Sequence, residues 1–327
     1  MDNHPISCYQ LGHYFQIPGK QLQEQYKEHI SDYKKWGQKS HADKWMYFPD
    51  NMGTRLSIDE TALSNGELYT IVTSKSAKGR KGSIVAMIRG TQAEEIIKVL
   101  EKFPERKRKT VREVTMDMAP AMILAVKRCF KNAARVIDRF HVQKLAHDAV
   151  QEVRIKYRWE AMDQENAAIA IARRTKKPYM PELLENGDTL KQLLARSRYL
   201  LFKHFSKWTE SQKQRGKLLF ERYPIIKKAY DLAMELGNIF RDCKHREIAF
   251  TKLALWHNRV QDSKIDAFKT VARSIESHRF AIVNFFLNRS TNAAAESFNA
   301  KVKAFRATSR GVRDINFFLF RLAKIYG

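Results

Sequence analysis

Short runs of alternating apolar and β-branched residues occur only between residues 55 and 138 of this 327-residue chain. Such runs, bounded by turn-forming residues, are typical of β-strands. Five of them are separated by turns or by helical patterns: 55–59, 67–74, 83–89, 111–117 and 134–138. The first three follow one another and predict an antiparallel meander. The last two alternate with helices, so the predicted element order is β-β-β-α-β-α-β-α.

From about residue 150 to about residue 285 the chain carries only helical patterns, which predict an all-α domain inserted into the first one. The predicted division is a small helical region 1–50, the first part of a core 51–150, the insertion 151–288, and C-terminal helices of the core 289–327. This element order is that of the ribonuclease-H-like fold. We therefore predict an α/β class with a ribonuclease-H-like mixed sheet, flanking helices and a large all-α insertion domain. Residues 10–36 form either a helix-turn-helix-like unit or ordinary helices broken at a glycine turn.

The charge of the chain indicates its partner. Sixty Lys and Arg residues against 35 Asp and Glu residues give a net charge of +25. Such an excess suits a polyanion, since each neutralised phosphate releases counterions. Nucleic acid is the favoured partner, and a basic protein without a polyanionic partner or a membrane-surface binder is the alternative. No apolar run of about 20 residues and no secretory signal pattern occurs, so we expect a cytoplasmic protein without a membrane partner.

The three cysteines, Cys8, Cys129 and Cys243, lie far apart in sequence. This spacing excludes a zinc ribbon and a disulfide framework built from this chain alone.

Three carboxylates form the candidate catalytic site. Asp59 and Asp117 each close a predicted strand, and the ends of neighbouring strands in such a sheet line one crevice. Two carboxylates this close repel each other unless a cation lies between them. Glu296, in the first turns of a helix beyond the insertion, would supply a third acidic ligand. Taken singly, each has a simpler interpretation, because aspartates often form turns or caps and most helical glutamates are solvated.

Four ordered blocks resemble the DDE insertion-sequence transposases of bacteria, in the ISL-three branch. The blocks are Ser57-Ile-Asp-Glu60, Thr115-Met-Asp-Met-Ala-Pro-Ala121, Val136-Ile-Asp-Arg-Phe-His-Val142 and Asn292-Ala-Ala-Ala-Glu-Ser-Phe-Asn-Ala-Lys-Val-Lys303. The resemblance extends from about residue 55 to the C-terminus. It implies that Asp59, Asp117 and Glu296 are the catalytic, metal-binding triad, with two Mg²⁺ ions that Mn²⁺ can replace.

The resemblance also places three further residues near the site, and the positions of basic residues predict contacts with DNA. Asp138, Arg139 and His141 would lie near the triad, although hydrogen bonding to neighbours or core packing explains the first and last more simply. On the helix of Glu296, part of one face would hold phosphates, with solvation of the lysines as the alternative. The predicted DNA-binding residues are Asn299, Lys301, Lys303, Arg306, Arg310, Lys107, Arg108 and Lys109.

The resemblance implies that longer members of this family begin with a cysteine-rich zinc-binding segment and a helix-turn-helix region, and no cysteine-rich run occurs before Asp59 in this sequence. Either a separate small protein recognises the element ends or residues 1–50 contribute to that task. The predicted substrate is double-stranded DNA, at transposon ends and target, bound by a homodimer as the resemblance implies. A ribonuclease-H-like nuclease without joining activity and a non-catalytic DNA-binding protein are the two alternatives.

Overall fold

A computed structural model describes residues 1–63, 66–308 and 314–327. It is a mixed α/β structure with one six-stranded sheet, ordered β1-β4-β3-β2-β5-β6. The strands are β1 Trp45–Tyr47, β2 Arg55–Ala62, β3 Leu68–Ser74, β4 Ile84–Arg89, β5 Glu113–Met116 and β6 Ala134–Ile137. The five predicted strands are therefore present, with ends shifted by up to three residues.

The sheet is antiparallel on one side and parallel on the other. The pairs β1–β4, β4–β3 and β3–β2 run antiparallel, as the predicted meander requires. The pairs β2–β5 and β5–β6 run parallel, and the chain between the two strands of each pair contains at least one helix. Strand β1 was not predicted, since its three residues are too few to show a periodic pattern.

Fifteen α-helices accompany the sheet in the described residues. They are α1 Cys8–Phe15, α2 Gly19–Gln25, α3 Ala93–Leu100, α4 Glu105–Thr110, α5 Pro120–Cys129, α6 Arg139–Arg174, α7 Leu190–Arg196, α8 Glu210–Arg222, α9 Pro224–Asp242, α10 Arg246–Ser263, α11 Asp266–Ser277, α12 Arg279–Val283, α13 Phe285–Asn288, α14 Ala293–Thr308 and α15 Ile315–Tyr326. The chain divides into two units, the first of residues 1–138 with 288–327 and the second of residues 139–287.

In the first unit, helices from the two ends of the chain pack on the sheet and on each other. Apolar residues of α14 and α15 cover one face of β3 and β4 and form one buried cluster with them. A second cluster joins the N-terminal region to α15 through the aromatic rings of Tyr26, Tyr33, Phe317 and Phe320. Residues 1–50 thus belong to the same unit as the sheet, and the idea that they form a helix-turn-helix stays a prediction.

The second unit is built from helices alone. Helix α6 packs against α7, α9 and α11, and α10 packs against α9. Its largest fully buried side chain is Trp256, whose indole nitrogen donates to the Leu232 carbonyl at 2.9 Å. The described second unit starts at 139, whereas the predicted insertion starts at 151, because α6 begins directly after β6. Nowhere in the described residues does a helix have the length and apolarity to cross a membrane.

Candidate active site

Three aspartates lie in or directly after three neighbouring parallel strands. Asp59 lies in β2, Asp117 follows β5 and Asp138 follows β6. The register pairs Ser57 of β2 with Thr115 of β5, and these residues lie two positions before Asp59 and Asp117. It also pairs Met116 of β5 with Ile137 of β6, and these lie one position before Asp117 and Asp138. Neighbouring strands are about 5 Å apart, and side chains at paired positions share a face. The two strand aspartates of the predicted triad are therefore neighbours.

The Asp59 carboxylate is held in a fixed orientation. Its Oδ1 accepts the backbone N–H of Glu60 at 2.9 Å, and its Oδ2 accepts a hydrogen bond from Asn299 Nδ2 at 2.8 Å. Asn299 belongs to α14 and is 5% exposed. Since hydrogen bonds to a charged group are stronger than those between neutral groups, this contact fastens α14 to β2 at the candidate site.

Asp117 lies three residues before helix α5 and close to the Glu60 carboxyl group. Its Oδ1 accepts the backbone N–H of Ala119 at 2.8 Å. Burial raises the pKa of the Glu60 carboxyl, and the charges of Asp117 and then Asp59 raise it further. Among the described lysines and arginines none forms an ion pair with Asp117. Carboxylate charge is therefore concentrated at Asp59, Glu60 and Asp117.

Helix α14 is also fixed at its N-terminal end. The backbone N–H of Asn292, just before the helix, donates to Asp138 Oδ2 at 2.8 Å, and its side-chain Nδ2 donates to the Ile58 carbonyl at 3.4 Å. Asn292 and Asp138 are 0% and 1% exposed. Asp138 therefore fixes the segment before α14 to the end of β6.

Glu296 lies between these two attachment points. Positions 292, 296 and 299 share one face of a helix, since residues three and four apart are neighbours on its surface. Asn292 and Asn299 use that face to contact the aspartate-bearing strands, so Glu296 sits on the same side and is exposed at its rim. In the described part of the chain, however, no three acidic, histidine or cysteine side chains are close enough to hold a metal ion together. The structure brings Asp59 and Asp117 together and leaves the Glu296 carboxylate outside a ligand cluster.

A buried polar network fixes the segment that leads into α14. Glu113 of β5 accepts hydrogen bonds from Asn288 at 3.0 Å, from Ser290, and from Lys75 at 3.3 Å. Lys75 also donates to Ser290 at 2.5 Å and to Thr115. Burial alone would raise the pKa of the Glu113 carboxyl, but the hydrogen bonds from Ser290 and Asn288 and the charge of Lys75 hold it below its usual value.

Sequence reasoning missed this network. A glutamate within an otherwise apolar strand signals that Glu113 needs a partner, but the partners lie 38 and more than 170 positions away.

The donor set suits a hard divalent cation. The carboxamide oxygens Oδ1 of Asn292 and Asn299 are buried and have no hydrogen-bond partner in the structure as described. A buried acceptor without a partner costs about 1–3 kcal/mol, and a cation or its water ligands beside Asp59 would satisfy it. Carboxylate and carboxamide oxygens are the ligands that Mg²⁺ prefers.

The predicted DNA-binding residues differ in their surroundings. Lys301 and Lys303 are exposed on α14, and Lys301 Nζ donates to the Gly79 carbonyl at 3.2 Å. Arg306 is 6% exposed and its guanidinium pairs with Glu67 through contacts of 3.1 and 3.3 Å. Arg310 lies outside the described residues. For Arg306 and Asn299 the described contacts are internal, and their role on DNA stays a prediction.

The basic segment 105–109, which follows Pro104, predicts a loop, but the structure places Lys107, Arg108 and Lys109 in α4. Lys107 donates to Asp50 at 2.8 Å, Arg108 Nη1 donates to the Cys129 carbonyl at 3.2 Å, and Lys109 pairs with Glu105 at 2.9 Å. The loop assignment was wrong because an i,i+4 ion pair stabilises a short helix here. Binding of DNA by these three residues stays a prediction.

Arg139 and His141 open helix α6 and belong to the second unit. Within that unit the Arg139 guanidinium lies 5.8 Å from the centre of the Phe285 ring. Their predicted nearness to the triad stays a prediction. The cysteines Cys8, Cys129 and Cys243 are buried free thiols, in line with the expectation from their spacing.

Comparison with known proteins identifies the family. Residues 56–322 match the model of the DDE_Tnp_ISL3 family, described as Transposase. The chain belongs to this transposase family. A curated relative, the transposase for insertion sequence element IS1001 of Bordetella parapertussis, is 22% identical over 271 residues. That match covers 82% of this chain and 59% of the relative, so this transposase-family chain spans about three-fifths of the relative's length. Among solved structures no match was found.

Proposed function

We propose that this chain has a ribonuclease-H-like fold and catalyses metal-dependent cleavage of DNA at transposon ends, followed by strand transfer into target DNA. The observation that carries the proposal is the adjacency of Asp59 and Asp117 at the ends of parallel strands, with α14 fastened against Asp59 by Asn299. The family membership gives the proposal its reaction class.

In this proposal Asp59, Asp117 and Glu296 hold two Mg²⁺ ions, and Mn²⁺ substitutes for them. When bound, such ions lower the pKa of an attacking hydroxyl and stabilise the charge on the leaving oxygen. Asn299 orients the Asp59 carboxylate, while Asp138 and Asn292 fix the start of the helix that carries Glu296. Rotation of the exposed Glu296 side chain completes the ligand set, because its backbone is already fixed on both sides.

Catalysis then depends on positioning and charge stabilisation, and the protein forms no covalent bond to DNA. The proposed substrate is double-stranded DNA, which suits the net charge of +25. A homodimer on paired ends and a separate protein for end recognition remain proposals drawn from the family alone.

The test is Mn²⁺-dependent nicking of supercoiled plasmid by the wild type and by Asp117→Asn and Glu296→Gln. Each substitution should lower the nicking rate by about 10²–10³-fold or more. Asp262→Asn is the matched control, since this aspartate is exposed and forms no ion pair in the described structure. Equal nicking by Asp117→Asn and the wild type would refute the proposed chemistry. A duplex with a pre-cut 3′-hydroxyl end then separates a transposase, which joins it to plasmid, from a nuclease, which does not.

A further inference from the structure

A basic turn joins β3 to β4 and contacts the helix that carries Glu296. The turn comprises residues 78–82 and exposes Lys78, Arg80 and Lys81 to solvent. Lys301 of α14 reaches it, since its Nζ donates to the Gly79 carbonyl at 3.2 Å. Gly79 has a φ of +73°, and a Cβ added there would lie 3.1 Å from Lys301 Nζ. The glycine thus permits both the turn conformation and the close approach of the lysine.

The cations at this place are not neutralised by the protein. Lys78, Arg80, Lys81, Lys301 and Lys303 form no ion pair with any described carboxylate. All five are exposed. Like charges repel each other, so a cluster of cations without counter-charge produces a positive surface potential. Binding of a polyanion would reduce this repulsion.

The lysines occupy opposite flanks of α14. Lys301 follows Glu296 by five positions and lies about 140° from it around the helix, whereas Lys303 follows by seven and lies about 20° from it. Between the flanks, Glu296 lies next to Lys303, and the rest of the exposed face carries small side chains that include Ala293, Ser297, Ala300 and Ala304. A sugar-phosphate backbone can therefore cross this part of the helix beside Glu296 without meeting a bulky side chain.

We propose that the basic turn, together with Lys301, binds the phosphate backbone of the DNA duplex whose scissile strand lies at the Glu296 flank. The duplex crosses α14 from the turn on one flank to Lys303 on the other. This assigns DNA binding to Lys78, Arg80 and Lys81, and it rests on the proposed function for the identity of the DNA. The contacts are to phosphates, so they are independent of base sequence.

The test measures binding of a fluorescein-labelled random-sequence duplex in EDTA over a range of salt concentrations. Each phosphate contact contributes about 0.9 to the slope of log affinity against log salt. The triple variant Lys78→Gln/Arg80→Gln/Lys81→Gln should therefore lower the magnitude of this slope by about 2.7, and weaken binding on the order of 100-fold at ~0.15 M salt.

The matched control is Lys98→Gln/Lys127→Gln/Lys131→Gln. These lysines are exposed, form no ion pair in the described residues and lie in α3, in α5 and just after α5. The control removes the same charge and should change the slope by less than one. Equal slopes for the two triple variants would overturn the proposal, because the effect would then be that of net charge alone.

A second measurement does not depend on the variants. Acetylation of the wild type by a water-soluble active ester, followed by mass spectrometry, should show Lys78, Lys81 and Lys301 protected at least fivefold by bound duplex, with Lys98 and Lys127 unchanged. Protection of neither group, or of both equally, would contradict the assignment. Because binding is measured without divalent cations, failure here is distinguishable from failure of the nicking test, which concerns the carboxylates.

Discussion

Replacing Glu113 by glutamine should destabilise the first unit strongly. The Glu113 and Lys75 side chains are only 4% and 14% exposed, and their atoms approach to 3.3 Å. Glu113→Gln keeps the shape of the side chain but removes the carboxylate that pairs with the buried Lys75 ammonium. It also places an N–H₂ group where a carboxylate oxygen accepts from Asn288 or from Ser290 and Lys75.

The magnitude follows from the burial of the pair. Removal of one partner from a buried ion pair costs about 3–5 kcal/mol, because the other charge stays desolvated. For a unit of this size, about 2–4 °C of melting temperature is lost per kcal/mol, so a decrease of at least about 6 °C is expected. The double variant Lys75→Met/Glu113→Gln removes both charges and should recover most of that loss.

Thermal and urea unfolding followed by circular dichroism measure both effects, and pH gives an independent check. The pKa of Glu113 lies below its ordinary value of 4.5 in the folded state. Its stabilising contribution is therefore complete above about pH 4.5 and is lost as pH falls through the folded pKa. The difference in unfolding free energy between Glu113→Gln and the wild type should therefore decrease at acidic pH. A single variant within about 0.5 kcal/mol of the wild type, or a double variant less stable than the single one, would refute the reasoning.

Two further predictions concern one residue in each unit. Asn299→Ala removes the donor to Asp59 Oδ2, and a hydrogen bond to a charged group contributes about 1.5–3 kcal/mol. The Mn²⁺ concentration for half-maximal nicking should therefore rise about tenfold or more. An unchanged concentration would argue against a role of Asn299 in orienting Asp59. In the second unit, burial raises the pKa of Asp188, but hydrogen bonds and charge from Arg215 and Arg196 bring it below 3.8. Stability from this group is present above that value and is lost in acid, so Asp188→Asn should lower the melting temperature at pH 7 and flatten its fall below about pH 4.

The sequence predicts those parts of this fold that depend on local patterns. Strands β2 to β6 have alternating or continuous apolar residues between turn-forming residues, and the helices after 139 have long periodic patterns. Strand β1 exists only through its pairing with β4, which no local pattern shows. The run 107–109 suggested a loop because it is wholly charged, whereas the ion pair of Lys109 with Glu105 favours a helix.

The candidate site likewise has residues that the sequence predicts and contacts that it does not predict. Asp59 and Asp117 could be predicted because each closes a strand, and the adjacency of those strands follows from the element order. The fastening of α14 could not, since it depends on Asn299 and Asn292 meeting partners more than 150 positions away. Contacts at such separations are decided by tertiary packing, not by local propensity.

The bond between Asn292 and Asp138 has a topological consequence. The chain leaves the sheet just after Asp138 and returns just before Asn292. The polypeptide between these residues is therefore a long connection whose two ends are held together by this hydrogen bond. The entropy of closing a loop grows only with the logarithm of its length. A long insertion at this position therefore lowers the stability of the sheet little more than a short one does, so this junction can accept insertions of very different length.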